Sequence, residues 1–292
     1  MHRLTVLLTT LTLIACNSEP TASTQTETAA PQEAQLADLL DAQPEKAKAR
    51  YQFRHPQETL EFFGIEPGMT VMEALPGGGW YSKILLPYLG KDGHLIGADY
   101  ALDMYAAFGF YDDERLEKLK SWVTDWTAEA ESWRGDDSAS VSAFVLGSMP
   151  GEMAGSADAV LFIRALHNLN SYESDGGYLT SALSDAFTIL KPGGIVGVVQ
   201  HQSSAEMSDE WANGSNGYLK KSLVVEHMEK AGFEFLSESS VNENSKDRPG
   251  EEDSVWRLPP SFDGSEDDSA QRDAMQAIGE SNRMTLKFRK PE

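Results

Sequence analysis

The sequence predicts an α/β fold: a doubly wound, mostly parallel sheet of seven strands whose last strand is antiparallel. Three observations predict it. From residue 69 onward, short apolar segments alternate with amphipathic helical segments. The apolar segments are almost continuously hydrophobic, which is typical of parallel strands covered on both faces. No helix is expected between the last two strands, so the final strand should run antiparallel to its neighbour.

The predicted elements follow one another in a regular order. A helix with Pro56 near its first turn and Gly64 past its end precedes the first strand, because proline suits a helix start and glycine a helix end. The segment from about Val241 to Asn282 is acidic and interrupted by Gly and Pro, and it predicts a linker. The strand segments are TVMEAL, HLIGAD, SAFVLG, DAVLFI, IVGVVQ, FEFLSES and RMTLKFRK. The other helical segments are WYSKILLPYLG, a polar stretch from about Asp112 to Trp133, one from about Gly177 to Leu190, and SLVVEHMEKAGF.

The chain carries a strong negative charge. Its 292 residues include 24 Lys and Arg against 46 Asp and Glu, which gives a net charge of -22. An acidic surface repels phosphate backbones, and no Lys- or Arg-rich run offsets it. We therefore expect no nucleic-acid partner.

The N-terminus has the pattern of an export signal. Arg3 precedes an apolar stretch, Leu4 to Ala15, that is too short to span a bilayer as a mature helix. This stretch ends in Leu-Ile-Ala-Cys, which resembles the bacterial lipobox and implies cleavage before Cys16 and lipidation of that residue. The alternative is a plain secretory signal with a chance cysteine.

A lipid anchor at Cys16 would hold the chain on a membrane with its domain facing the periplasm, because several acyl chains anchor a protein stably. By resemblance to sorting rules, Asn17 after the lipidated residue favours the outer membrane. The residues that follow are rich in Thr, Ala, Glu, Gln and Pro, with little to bury. The predicted organisation is a lipoprotein signal peptide over residues 1–15, a flexible tether over 16–35 and one domain over 36–292.

The turn after the first strand, Pro76 to Gly79, is the place where a nucleotide cofactor would lie in such a sheet. A dinucleotide site needs Gly-x-Gly-x-x-Gly, but Ser82 stands at the third glycine position and Glu73 would repel a pyrophosphate. A P-loop needs Gly-Lys followed by Ser or Thr, and the turn contains no such sequence.

A sulfonium cofactor without phosphate fits the same turn better. Glu73 could face the cationic end of S-adenosylmethionine, and Gly77 and Gly79 allow close backbone approach. Asp99 ends the next strand about twenty residues later, where a carboxylate can accept hydrogen bonds from both ribose hydroxyls. The candidate cofactor-binding residues are Glu73, Pro76, Gly77, Gly78, Gly79, Asp99, Ser148 and Met149, the last two beside the adenine edge.

With these motifs in order, the chain resembles the class I, seven-stranded S-adenosylmethionine-dependent methyltransferases. More narrowly, it resembles predicted bacterial methyltransferases whose first motif reads Pro-Gly-Gly-Gly-Trp-Tyr. The resemblance covers about Tyr51 to Pro291 and implies the fold, S-adenosylmethionine as cofactor and methyl transfer to a small-molecule acceptor. The chain departs from the pattern where Leu75-Pro76 replaces the first loop glycine and where Ser148 stands in place of a common Asp.

His167 is the candidate catalytic residue, because it follows the fourth strand at the edge where ligands bind in such sheets. It could serve as a general base or a substrate ligand, or it could simply bond the neighbouring loop. His201 lies at the same edge, but two histidines without a third ligand at suitable spacing predict no metal. Two hypotheses of function follow: an active methyltransferase on an unknown small molecule, or a non-catalytic or repurposed periplasmic binding module on the same fold.

Overall fold

The computed structural model describes Met1 and residues 29–292. The predicted signal peptide, Cys16 and most of the predicted tether lie outside the described residues and stay predictions. The first helix, α1 (Ala29–Asp41), begins inside the range predicted as tether. Ala, Gln and Glu around its start are good helix formers, and Leu36 and Leu40 are buried against the domain. Within the described residues, no helix is both long and apolar enough to cross a bilayer.

Seven strands form one sheet, as predicted. The strand order is β3-β2-β1-β4-β5-β7-β6. The first five strands in the chain pair in parallel, and the last strand is antiparallel to both of its neighbours. The strands are β1 (Thr70–Ala74), β2 (His94–Asp99), β3 (Ser140–Val145), β4 (Ala157–Ile163), β5 (Leu190–His201), β6 (Glu234–Ser239) and β7 (Arg283–Arg289).

The helices cover both faces of the sheet. The predicted helix start at Pro56 and helix end at Gly64 are confirmed, with Gly64 at a φ of 75°. The helices after α1 are α2 (Glu45–Lys48), α3 (Tyr51–Arg54), α4 (Pro56–Phe63), α5 (Ser82–Leu89), α6 (Leu102–Ala107), α7 (Asp113–Leu119), α8 (Trp122–Trp133), α9 (Leu166–Ser171), α10 (Glu173–Gly176), α11 (Tyr178–Ile189), α12 (Lys221–Lys230) and α13 (Ser269–Ile278).

Two predictions of helices were wrong. The polar helix expected from Asp112 to Trp133 is divided at Ser121, whose hydroxyl donates to the carbonyl of Lys118 and competes with the helical hydrogen bonds. The linker between the last two strands contains a helix, α13, which begins after Asp268. The Asp268 carboxylate caps it by accepting a hydrogen bond from the Gln271 backbone N–H.

The core has two layers, one on each face of the sheet, because successive strand residues point to opposite faces. Val71 packs with α5 residues such as Leu85 on one face. Met72 packs with α11 residues such as Ala182 on the other. Each fully buried Leu, Ile or Met contributes roughly 1.5–3 kcal/mol to the folded state.

The carboxyl ends of the parallel strands are covered by two loops, residues 202–220 and 240–268. A small cluster that includes Trp211, Tyr218 and Val255 joins these loops to each other. The Tyr218 hydroxyl donates to Asp247, and Arg257 forms an ion pair of 2.8 Å with the same carboxylate. The loops are therefore held together over the edge of the sheet where a ligand would bind.

Candidate functional site

A cavity of about 500 Å³ lies at this edge, bordered by the second of these loops. It borders the carboxyl ends of four neighbouring strands, including the point between β1 and β4 where the strand order reverses. Ligands of open α/β sheets bind at this kind of position, and the volume is in the range of small-molecule sites. The strand ends contribute Leu75, Gly77, Asp99, Arg164, His167 and His201 to its lining.

The glycine turn contributes to the cavity through Gly77. Gly77 has a φ of 54°, and a Cβ there would meet no atom within 4 Å. Leu75, in place of the usual loop glycine, also adopts a left-handed φ of 55°, which is strained for a leucine. The turn therefore has the backbone shape that a close ligand approach requires, although a leucine occupies its first position.

Gly79 packs closely against helix α8. Its φ is 74°, and an added Cβ would lie 2.3 Å from the Trp133 ring on α8. Gly79 is not part of the cavity lining; it lets the turn pack against that helix. Pro76 and Gly78 do not line the cavity either, although a Cβ on Gly78 would meet open space.

Asp99 lies in the cavity wall, at the end of β2, where the sequence places it. It is buried, and its Oδ2 accepts a hydrogen bond of 2.6 Å from the Tyr105 hydroxyl. Burial raises the pKa of Asp99 to about 6, while the bonds from Tyr105 and from the Tyr100 backbone oppose that rise. The carboxylate borders the cavity, but it already has donors within the protein, the Tyr105 hydroxyl and the Tyr100 backbone.

Glu73 does not border the cavity. It is buried, and its Oε2 accepts a hydrogen bond of 2.6 Å from the Ser82 hydroxyl at the start of α5. Burial raises the pKa of Glu73 to about 8, against the opposing effect of the Ser82 bond. A carboxyl group that is protonated at neutral pH offers no negative charge to a sulfonium. In this structure Glu73 instead joins β1 to the following helix, α5, through its hydrogen bond with Ser82.

Ser148 and Met149 also lie away from the main cavity. Ser148 lines a second cavity of about 210 Å³ beside the end of β3. Met149 is half-buried and packs against the core. The turn before them is fixed by the Gly147 N–H, which donates to Asp185 at 2.6 Å.

His167 lines the main cavity and is buried in the first turn of α9. Its Nδ1 lies 3.4 Å from Oε1 of Gln200, and the Gln200 amide nitrogen donates to the Gly217 carbonyl at 3.1 Å. The second bond orients the Gln200 oxygen towards the histidine, which favours the tautomer protonated on Nδ1. Burial lowers the pKa of His167 to about 4, so the ring is neutral at pH 7.

His201 stands beside His167, with ring centroids 5.3 Å apart. Its Nδ1 lies 2.5 Å from the Ser281 hydroxyl, and burial lowers its pKa well below the ordinary value. No group of three or more His, Cys, Asp or Glu side chains that could hold a metal occurs in the described part of the chain.

The sequence did not point to several polar residues that border this cavity, among them Tyr105, Arg164 and Glu280. Arg164 directly follows β4, so the rule that pointed to His167 could have identified it as well. Tyr105 and Glu280 carry no such signal, because the first lies in a helix and the second in the segment interpreted as a linker.

No protein-family model matches the chain, and no curated protein sequence matches it. Solved structures with a similar arrangement include a cyclase, SpnF, at 18% identity and a TM-score of 0.46, with 82% of this chain and 80% of that chain covered. A second is the 1,6-didemethyltoxoflavin-N1-methyltransferase of Burkholderia thailandensis, at 14% identity, a TM-score of 0.45 and 94% of both chains. A third is a SAM-dependent methyltransferase from Aquifex aeolicus, at 16% identity, a TM-score of 0.44, and 72% and 93% of the two chains. Likenesses this distant carry no argument about function, which rests on the strand order and the site geometry.

Proposed function

We propose that the main cavity binds S-adenosylmethionine and that the chain transfers its methyl group to a small-molecule acceptor. The observation that carries the proposal is the meeting of Gly77 and Asp99 in one cavity, at the ends of β1 and β2. A turn open to backbone approach and a carboxylate on the next strand are the two features that an adenosine-containing cofactor needs at this edge.

The residues of the cavity fit the cofactor in part. Asp99 would accept hydrogen bonds from the ribose hydroxyls, and the backbone at Gly77 would lie against the amino-acid portion. Glu73, Met149 and Gly79 lie outside the cavity, and Ser148 lines the second one. The proposal therefore rests on fewer contacts than the sequence predicts.

When bound, S-adenosylmethionine supplies an electrophilic methyl group on a sulfonium. The protein would mainly position the acceptor and exclude water, for which the loop of residues 240–268 borders the cavity. His167 would accept a hydrogen bond through Nε2 rather than take a full proton, because a pKa of about 4 makes it a weak base at neutral pH. This interpretation favours an acceptor that reaches the site already as a nucleophile.

Calorimetric titration of the full chain with S-adenosylhomocysteine and with S-adenosylmethionine tests the binding. We expect Asp99→Ala to weaken affinity by about 1.5–3 kcal/mol, or roughly 10- to 150-fold, because the ribose loses a charged acceptor. The control is Asp92→Asn, an exposed position away from the cavity. Tyr105→Phe should tighten binding by up to about tenfold, since it releases Asp99 from its internal donor.

Absence of heat at millimolar ligand in the wild-type chain would contradict the proposal and favour the second hypothesis, a non-catalytic binding module. Equal affinities of the wild type and Asp99→Ala would show that the cofactor binds elsewhere.

We also propose that the chain is a lipoprotein anchored through Cys16, with its domain facing the periplasm and the outer membrane favoured. The support is the signal pattern of the sequence alone. Cys16→Ser should leave the protein unprocessed or soluble, and the mass of the wild-type N-terminal peptide should include acyl chains. Unchanged membrane fractionation of the variant would contradict the lipid anchor.

A further inference from the structure

An unusual group of buried and half-buried cations lies beside the cavity. Four guanidiniums, those of Arg50, Arg54, Arg164 and Arg283, surround the single carboxylate of Glu280 and all influence its pKa. Burial alone would raise the pKa of Glu280, but these positive charges hold it below its ordinary value. The arginine cluster therefore contains three more positive charges than negative ones, in a chain whose net charge is -22.

Three of the four arginines have partners within the cluster. Arg50 donates to Glu280 at 2.6 Å, and Arg54 donates to the same carboxylate at 3.3 Å. Arg283 lies 3.4 Å from Glu280 and donates to the Phe53 carbonyl. The Glu280 carboxylate is thus already shared among three guanidiniums and has little capacity left.

Arg164 is the exception. Its Nε is buried and makes no hydrogen bond, and no ion pair joins its guanidinium to any carboxylate in the described residues. Burial and the neighbouring charge of Arg283 lower the pKa of Arg164 only to about 10, so the side chain stays charged at neutral pH. The side chain as a whole is half-buried and lines the cavity, so a guanidinium without a carboxylate partner is open to a bound anion there.

The backbone of Arg164 is also strained. Its φ is 58°, in the left-handed region that an arginine rarely adopts, and its N–H donates to the Val199 carbonyl at 2.6 Å. Non-glycine residues in strained conformations cluster at functional sites. Leu75, which has the same kind of strain, also lines the cavity, and the two residues directly follow the neighbouring strands β4 and β1.

From these observations we propose that the cavity binds an anionic group, a carboxylate or a phosphoryl group, at Arg164. This inference rests on the proposed function only in naming the molecule that carries the anionic group. The anion belongs either to the methyl acceptor or to the amino-acid end of the cofactor. Both sources meet the same chemistry: a planar guanidinium that offers two parallel N–H donors to two oxygen atoms.

The neighbours of Arg164 suit either source. His201 and Ser281 line the cavity too and offer a ring nitrogen and a hydroxyl. Asp99 lies two strands away, on β2, so an anion at Arg164 is separated from that carboxylate by the width of β1. Adjacent strands lie about 4.8 Å apart, which places the two ends of the site at roughly 10 Å, a distance that one small molecule can bridge.

Inorganic phosphate is the probe, titrated into the full chain at constant ionic strength without cofactor. We expect saturable binding to the wild type, and a loss of about tenfold or more in Arg164→Gln because the bidentate donor is removed. Arg164→Lys keeps the charge and should recover part of the affinity. The control Arg248→Gln removes an exposed arginine away from the cavity and should bind phosphate like the wild type.

A second titration, with S-adenosylhomocysteine present, identifies the source of the anion. Competition with phosphate assigns the anion to the cofactor's carboxylate, and simultaneous binding assigns it to the acceptor. If the chain binds phosphate but does not bind S-adenosylhomocysteine, the anion site is supported and the methyltransferase proposal is contradicted. The anion site is itself overturned if phosphate does not bind the wild type, or if folded Arg164→Gln and Arg248→Gln bind it equally.

Discussion

The substitution Glu73→Gln tests whether the Glu73 side chain is a buried neutral carboxyl group or a carboxylate that faces the cofactor. The pKa of Glu73 rises from 4.5 to about 8 because the group is buried. Between these two values the folded protein keeps a proton that the unfolded chain releases, so the contribution of Glu73 to stability falls as pH rises. At 1.36 kcal/mol per pKa unit, the full penalty above pH 8 is about 5 kcal/mol.

Glutamine carries no ionisable proton and keeps an oxygen that can accept the hydrogen bond from Ser82. Urea unfolding of both proteins between pH 5 and pH 9 should therefore give a stability advantage of Glu73→Gln that grows by about 4 kcal/mol over that range. The exposed substitution Glu66→Gln is the matched control and should show no such growth. Parallel pH profiles of the wild type and Glu73→Gln would show that Glu73 is ionised in the folded state, contrary to this prediction.

Two further substitutions test the packing around the site. Gly79→Val should destabilise the fold by about 3 kcal/mol, because its Cβ would overlap the Trp133 ring on a left-handed backbone; Gly78→Ala is the control, and equal melting temperatures of the two variants would contradict this role. Glu280→Gln should cost about 3–5 kcal/mol in urea unfolding, since it removes the charge that compensates Arg54 and its neighbours; a cost below about 1 kcal/mol would show that the cluster is screened by water.

The sheet was predictable from the sequence because its signals are local. Nearly continuous apolar segments such as HLIGAD and IVGVVQ mark buried parallel strands wherever they occur. Helix α13 was not predicted, because the segment that contains it was interpreted from its acidic, Gly- and Pro-containing composition. None of its residues is buried, so it has no buried stripe to mark it, and only the capping residue Asp268 indicates its start.

The site was predictable only where a residue is fixed by the end of a strand. Asp99 and His167 both lie in the cavity because strand ends place them there. The contacts of a side chain could not be predicted in this way. The Glu73 side chain contacts Ser82 of α5, and Gly79 leaves room for the Trp133 ring. Such pairings join distant parts of the chain, and no local pattern contains them.

A crystal structure of the full chain grown with S-adenosylhomocysteine would show directly whether the main cavity binds the cofactor. We expect ligand density in this cavity, with the ribose hydroxyls within hydrogen-bond distance of Asp99 and the amino-acid portion over Gly77. Density in the second cavity beside Ser148 alone, or bound ligand that touches neither Asp99 nor Gly77, would contradict this expectation.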